Sequence, residues 1–411
     1  MKAVKMLIII VVGVFVLLSV VGFLKNRFPM NTVPRLSEMS LLEDKLESDH
    51  LFQELETIAA SIHELKGDLS GIPLSIPEND LNMHILQNGS VLASFHLLFR
   101  QKYMADLSIE GQHSRTPMIQ TFNDPFPAFG KWRDLSDLLL CQAHHKLKNG
   151  LTEEGCDALE AVSQINLAIL QNPSMVELML GLNRASQFNR YLVQSGQSLC
   201  VETDHWIPES LLLLKGYEQA LYGEYVLMEN LFESEDLQGS VRSAFVEWGS
   251  KFLFNKEESI GYLSEDFSAN QQAFKEGILR KPDFGHRFNR KNPLHWFFNP
   301  VGRIMLDVGT PNYFKFSLRV YISIWQSDAT RLVISLRSLE QEQNQANTMA
   351  AVARMSLINP LTCQPYSVSE DGRLELLPFD SEKWDLFEAK YLDELSGFPV
   401  VLPASQVNDG E

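Results

Sequence analysis

The stretch LLLCQAHHKLKNGLTEEGCDAL, Leu138 to Leu159, decides the fold. Leading into it, Trp132, Leu135, Leu138, Leu139 and Ala143 recur three and four residues apart. That spacing lines one face of a helix. Lys148-Asn149-Gly150 then stops it, because Asn-Gly suits a left-handed C-cap. Thr152 with Glu153 and Glu154 restarts a helix, with acids in the first turn where the backbone dipole favours them. Leu159, Val162, Ile165 and Ile169 line the next face, until Asn172-Pro173. Two antiparallel helices joined by a short turn follow from this pattern.

The same stretch carries Cys141, His144, His145 and Cys156. Cys141 and His145 share a helix face, and Cys156 lies about as far beyond the turn as Cys141 lies before it. Three readings fit: a Cys141–Cys156 disulfide, a Cys/His zinc site, or separate buried thiols. The spacing matches no familiar zinc module, so no metal and no cofactor is expected. Cys-x-x-Cys is missing, which excludes a thioredoxin-like pair. Cys200 and Cys363 have no evident partner.

Further hairpins extend outward from this one. Ser174 to Gln194 reads as a helix with Met175, Leu178, Leu182 and Phe188 inward. Pro208 opens a long one, with Leu214, Tyr217, Leu221, Met228 and Leu231 on one stripe. Earlier in the chain an amphipathic helix is predicted from about Ser40 to Lys66, and another from Asn79 or Asp80 to about Leu107. Val241–Phe254, Ala269–Leu279 and Arg319–Glu340 are later candidates. Glu370-Asp371-Gly372 is a turn signal between two short alternating runs, so Pro365–Val368 and Arg373–Leu376 are expected to form a β-hairpin. The fold class is mainly α, an irregular α-solenoid or helical-hairpin bundle closed by this small hairpin.

The N-terminus sets the expected compartment. Met6 to Leu24 is 19 residues without a charge, about 28 Å as a helix, enough to cross a bilayer's hydrocarbon core. An uncleaved anchor fits better than a signal peptide, whose apolar core is shorter. The expected organisation is a cytoplasmic tail (1–5), a transmembrane anchor (6–24), a linker (25–36), a helical-hairpin domain (37–300) and a C-terminal part (301–411). A five-residue tail without a folded domain usually stays inside, so the bulk of the chain is expected in the periplasm, held at the inner membrane.

Charge narrows the function classes. Lys+Arg is 35 against Asp+Glu at 52, a formal net charge of −17. A general nucleic-acid binder needs a basic face, so nucleic acid is excluded as a partner. One stretch reverses the sign. In ILRKPDFGHRFNRKNPLHWFFNPVGR, Ile278 to Arg303, six basic residues oppose Asp283 alone, a local +5. Arg287, Arg290, Lys291, Trp296 and Arg303 are the candidate binding residues. Two readings fit: a surface for an anionic partner or envelope protein, or a connection whose aromatics fill the core and whose cations pair with nearby acids. Catalytic signatures such as Gly-x-Ser-x-Gly, His-Glu-x-x-His, a P-loop or a dinucleotide glycine motif are missing. Glu224 in LYGEY and His295 beside Trp296 read as packed helix residues rather than acid or base.

The segments FFNPVGRIMLDVGTPNYFKFSLRV, RLVISLRSLEQE and NPLTCQPYSVSEDGRLEL, with the LYGEY helix and the anchor, carry a resemblance. They resemble uncharacterised single-pass membrane-anchored helical proteins of Gram-negative bacteria, over about half the chain. Those proteins read Asp-Pro-x-Thr-Gly-x-Pro where this chain has Asn359 and Cys363. The resemblance implies a membrane-anchored helical fold and no known activity. NPLTCQPY is also similar to the C-terminal turn of major pseudopilins, although the N-terminus lacks their cleavable leader and first glutamate. The expected function is therefore a non-catalytic binding or scaffold component of the cell envelope. An envelope hydrolase with a groove between helices, and a part of a secretion or pilus-like assembly, are the alternatives.

Overall fold

The structure is a computed structural model. It describes residues 57–63, 73–98, 129–170, 174–195, 200, 206–233, 254–277, 299–309, 313–339 and 343–376. The Met6–Leu24 segment lies outside the described residues. Among the described residues, no helix is long and apolar enough to cross a membrane.

The described part is mainly helical. In chain order come α1 (Glu78–Gln87), α2 (Gly89–Leu98), α3 (Phe129–Lys148), α4 (Thr152–Leu170), α5 (Met175–Gln194), α6 (Ser210–Glu233), α7 (Lys256–Lys275), α8 (Pro300–Gly309), α9 (Tyr313–Ser338) and α10 (Gln345–Met355). A 3-10 turn, Pro73–Ser75, precedes α1. Four two-residue strands follow α10: β1 (Ile358–Asn359), β2 (Gln364–Pro365), β3 (Ser367–Val368) and β4 (Leu374–Glu375). β1 pairs antiparallel with β2, and β3 with β4 in the register Ser367↔Glu375, Val368↔Leu374.

The predicted hairpin is α3–α4. Gly150 sits at φ 77. Its N–H donates to Leu147 O at 3.1 Å and the Leu151 N–H to Lys146 O at 2.9 Å. This pair of bonds satisfies the last carbonyls of α3, the Schellman arrangement that Asn-Gly signals. Leu135, Leu138, Leu139 and Ala143 face Leu159, Val162, Ile165 and Ile169 in one buried cluster. The register is set by Gly155, whose missing side chain leaves room for Leu147, and by Ser136 Oγ, which donates to Asn166 Oδ1 at 3.2 Å.

Other boundaries moved. The helix predicted to Lys66 ends at residue 60. The helix expected from 80 to 107 starts at Glu78, behind Pro77, and breaks into α1 and α2 at Asn88. α7 begins at Lys256, well before Ala269, because Asn255 Oδ1 accepts from the Glu258 N–H at 3.0 Å. α9 starts at Tyr313 rather than Arg319. β1–β2 was not foreseen.

Two buried clusters meet across α5. Phe188, Tyr191 and Leu192 join the α2–α3–α4 cluster. Leu178, Leu182, Ala185 and Val193 join the cluster of α6, α7, α9, α10 and the hairpin. α9 packs on α5, α6, α7 and α10. Contacts between such distant segments depart from the neighbour-on-neighbour stacking of a solenoid. The aromatic centre of the second cluster is Tyr217, Phe274 and Tyr321, with ring centroids 4.2 and 5.1 Å apart. Buried phenols need partners; Tyr217 donates to Tyr313 O at 2.9 Å and Tyr321 to Phe274 O.

Candidate functional site

Of the five binding residues named from sequence, Arg287, Arg290, Lys291 and Trp296 lie outside the described residues, as does His295. Arg303 is described, and it corrects the expectation of a binding surface at that position. It sits in α8 at 6% exposure. Its Nη2 donates to the Tyr262 hydroxyl at 2.9 Å, and that hydroxyl donates to Glu258 Oε1 at 2.5 Å. The guanidinium also lies 4.8 Å from the Tyr262 ring centroid and 3.8 Å from the Glu258 carboxylate. Burial and the Glu258 carboxylate push the Tyr262 phenol up. Arg303 therefore fastens α8 to α7.

The start of α8 explains why. Pro300 occupies the first helical position, where its missing N–H is no loss. Asn299 before it is fully buried at φ 51. Its Oδ1 accepts from the Asn255 N–H at 2.8 Å and its Nδ2 donates to Ser259 Oγ at 2.9 Å. A Cβ at Gly302 would lie 2.0 Å from Ser259 Oγ. The Asn-Pro-x-Gly-Arg run is thus a docking element between α7 and α8.

The cysteine pairing also corrects the expectation. Cys156 is bonded to Cys200, with Cα atoms 5.8 Å apart, and Cys141 is a buried free thiol. The α3–α4 register puts Cys156 level with Lys146, not Cys141, an offset of about 7 Å along the axis. Cys141 faces Ile76 and Leu81 instead. Burial, with the Asp137 charge, raises its thiol to about 12. Cys156 and Ser163 share a face of α4, and Ser163 Oγ donates to Trp206 O at 2.7 Å. That face holds Cys200 and Trp206. Cys363 is a free, exposed thiol.

The remaining hairpin residues are committed to neighbours. His144 Nδ1 lies 3.3 Å from the Tyr191 hydroxyl, and His145 pairs with Asn149. Arg184 of α5 is buried and bonded to Asp137 of α3. Burial pushes Asp137 up, and the Arg184 guanidinium offsets only part of that rise. Among the described residues, no group of three His, Cys, Asp or Glu side chains is placed to hold a metal ion.

Glu224 behaves as its sequence setting implied. Its Oε1 accepts from the Met175 N–H at 3.1 Å. Ser174, at the N-cap, makes no side-chain cap bond, so a carboxylate from α6 caps α5 from outside. Burial raises its pKa and the Met175 N–H lowers it.

The polar centre of α9 was missed. Ser323, Gln326, Ser327, Asp328 and Thr330 are all buried. Asp328 accepts from the Tyr366 hydroxyl at 2.8 Å through Oδ2. Its Oδ1 lies 3.5 Å from both Ser210 Oγ and Arg331 Nη1. Arg331 also donates to Ile207 O at 2.7 Å, and Arg337 to Val193 O at 2.6 Å. Asn189 of α5 donates to Ser327 at 3.3 Å. One carboxylate thus joins α9, the start of α6 and the C-terminal hairpin. A run of polar residues inside an otherwise apolar long helix was the available signal: such a helix is buried and the run marks its cross-ties. At 2% exposure Asp328 is enclosed by chain groups, and the arrangement acts as a tether.

Comparison of the chain with protein-family models, with curated proteins and with solved structures gave no match.

Proposed function

We propose that the chain is a non-catalytic helical protein of the cell envelope, anchored in the inner membrane by Met6–Leu24, with its bulk in the periplasm. It acts there as a binding or scaffold component. The observation that carries this reading is the Cys156–Cys200 disulfide, since disulfides form and persist in oxidising compartments. The inward use of Arg184, Arg303, Asp328 and Arg337 as cross-ties supports a rigid scaffold over a reactive groove. With Arg303 removed, Arg287, Arg290, Lys291 and Trp296 remain the proposed contact for an anionic or protein partner, on the local charge of the sequence.

The test is affinity capture of the full-length protein from solubilised envelopes, beside a variant with Arg287, Arg290 and Lys291 all changed to Gln. A defined partner held by the natural chain and weakened about tenfold or more in the variant is expected. Equal capture by both removes this stretch from the proposal.

A further inference from the structure

Asn88 sits between α1 and α2 and is fully buried. Its Oδ1 accepts from the backbone N–H of His63 at 2.8 Å. Its Nδ2 donates to the carbonyls of His63 at 3.2 Å and His84 at 3.0 Å. One N–H and two carbonyls fix which end of the amide is oxygen. The same Nδ2 lies 3.2 Å from Nδ1 of His84. The amide's two N–H groups are shared among three acceptors, a sharing that fits a lone pair on His84 Nδ1 with the ring proton on Nε2. His84, 4% exposed, is held as neutral imidazole.

What the amide holds is the first described part of the chain. Residues 57–60 are helical, and a turn at Ser61 follows. Ala59 and Ile62 are buried in one cluster with Val91, Leu92 and Phe95 of α2. The segment leads back along the chain to the apolar N-terminal stretch.

We infer that His84 and Asn88 form an acid-sensitive latch: a proton on His84 Nδ1 sets donor against donor at the Asn88 amide and releases residues 57–63 from α2. The groups around His84 set the direction. Asp134 of α3 faces it and favours the proton, but is itself held by Arg133 at 3.1 Å and Lys131 at 4.0 Å. His63 enters through its backbone. Glu78 of α1 pairs with Lys148 at 2.8 Å, and His96 of α2 with Gln142 at 2.8 Å. Burial outweighs Asp134 and keeps His84 below the ordinary 6.5. The folded chain binds this proton less readily than the unfolded one. The latch is therefore complete above pH 6.5 and is lost as pH falls through the lower folded value.

Hydrogen exchange of the full chain, followed by mass spectrometry on peptides covering 57–63 and α9, tests this at about pH 8 and about pH 5. After correction for intrinsic rates, protection of 57–63 is expected to fall about tenfold or more at the lower pH, while α9 keeps its protection. In His84→Gln, which keeps an acceptor and cannot take a proton there, the loss is expected to vanish. In Asn88→Ala the segment is expected to be unprotected at both values. Protection of 57–63 that ignores pH in the natural chain, or an acid loss that survives in His84→Gln, overturns the latch.

Discussion

Asp328 shows what a single buried carboxyl does to this protein. Burial raises it from 3.8 to about 6, against the opposing pull of Tyr366, Arg331 and Ser210. The folded chain therefore holds the Asp328 proton where the unfolded chain has released it. This group's contribution is therefore most favourable below about pH 4 and falls as pH rises through about 6, by roughly 2–3 kcal/mol. Asp328→Asn stays neutral and can still accept from Tyr366. Its denaturation midpoint is expected to lack the decline between about pH 4 and 6 and to equal or exceed the natural chain's above it. Urea titrations of both chains across that range check this. Residue roles of this kind were partly legible. Glu224 read as a packed helical glutamate, and the structure gives it Met175 as partner. The turn at Cys363 holds φ 54, where glycine is least strained. Asn359 accepts from the Leu361 N–H at 2.9 Å and donates to Leu376 O at 2.8 Å; an aspartate could not make the second bond. Asp328 was not legible, because its partners Ser210 and Tyr366 are 118 and 38 residues away.

At the scale of the element, caps explain most of what was foreseen and most of what was not. Local signals worked where the cap is local. Lys-Asn-Gly stopped α3, and Thr152-Glu-Glu opened α4, as the spacing implied. Asn255-Lys-Glu-Glu258 was an equally local signal, Asn three residues before Glu, and reading it would have placed α7 correctly. Remote caps leave no such trace. α5 is closed at its start by Glu224 and at its end by Arg337, which donates to Val193 O at 2.6 Å. Both groups complement the helix dipole, acid at the N-terminus and cation at the C-terminus. Removing the first leaves the Met175 N–H unpaired at the junction of the two clusters. Glu224→Ala is expected to lower stability by about 1–2 kcal/mol, with Glu224→Gln keeping an acceptor and losing about half as much. Thermal unfolding of the three chains separates the outcomes; equal melting temperatures would remove the cap.

For the whole molecule, helical hairpins were legible because their apolar faces repeat at 3.6 residues over short distances. Their assembly was not. Asn189 and Ser327, which join α5 to α9, are 138 residues apart, and no local pattern encodes such a contact. The cysteines show the same limit: four allow three complete pairings, and only the α3–α4 register rules out Cys141 with Cys156. The disulfide found ties residues 44 apart in sequence. On the chain-entropy account it stabilises by about 4 kcal/mol, a large part of the total for a domain of this size. It also carries the proposed compartment. The most direct measurement is therefore thiol counting on the full-length protein, trapped with a maleimide from cells under denaturing conditions without reductant. Two of the four cysteines, Cys141 and Cys363, are expected to label, with a linked Cys156–Cys200 peptide pair recovered by mass spectrometry. Labelling of all four would contradict both the disulfide and the envelope location built on it.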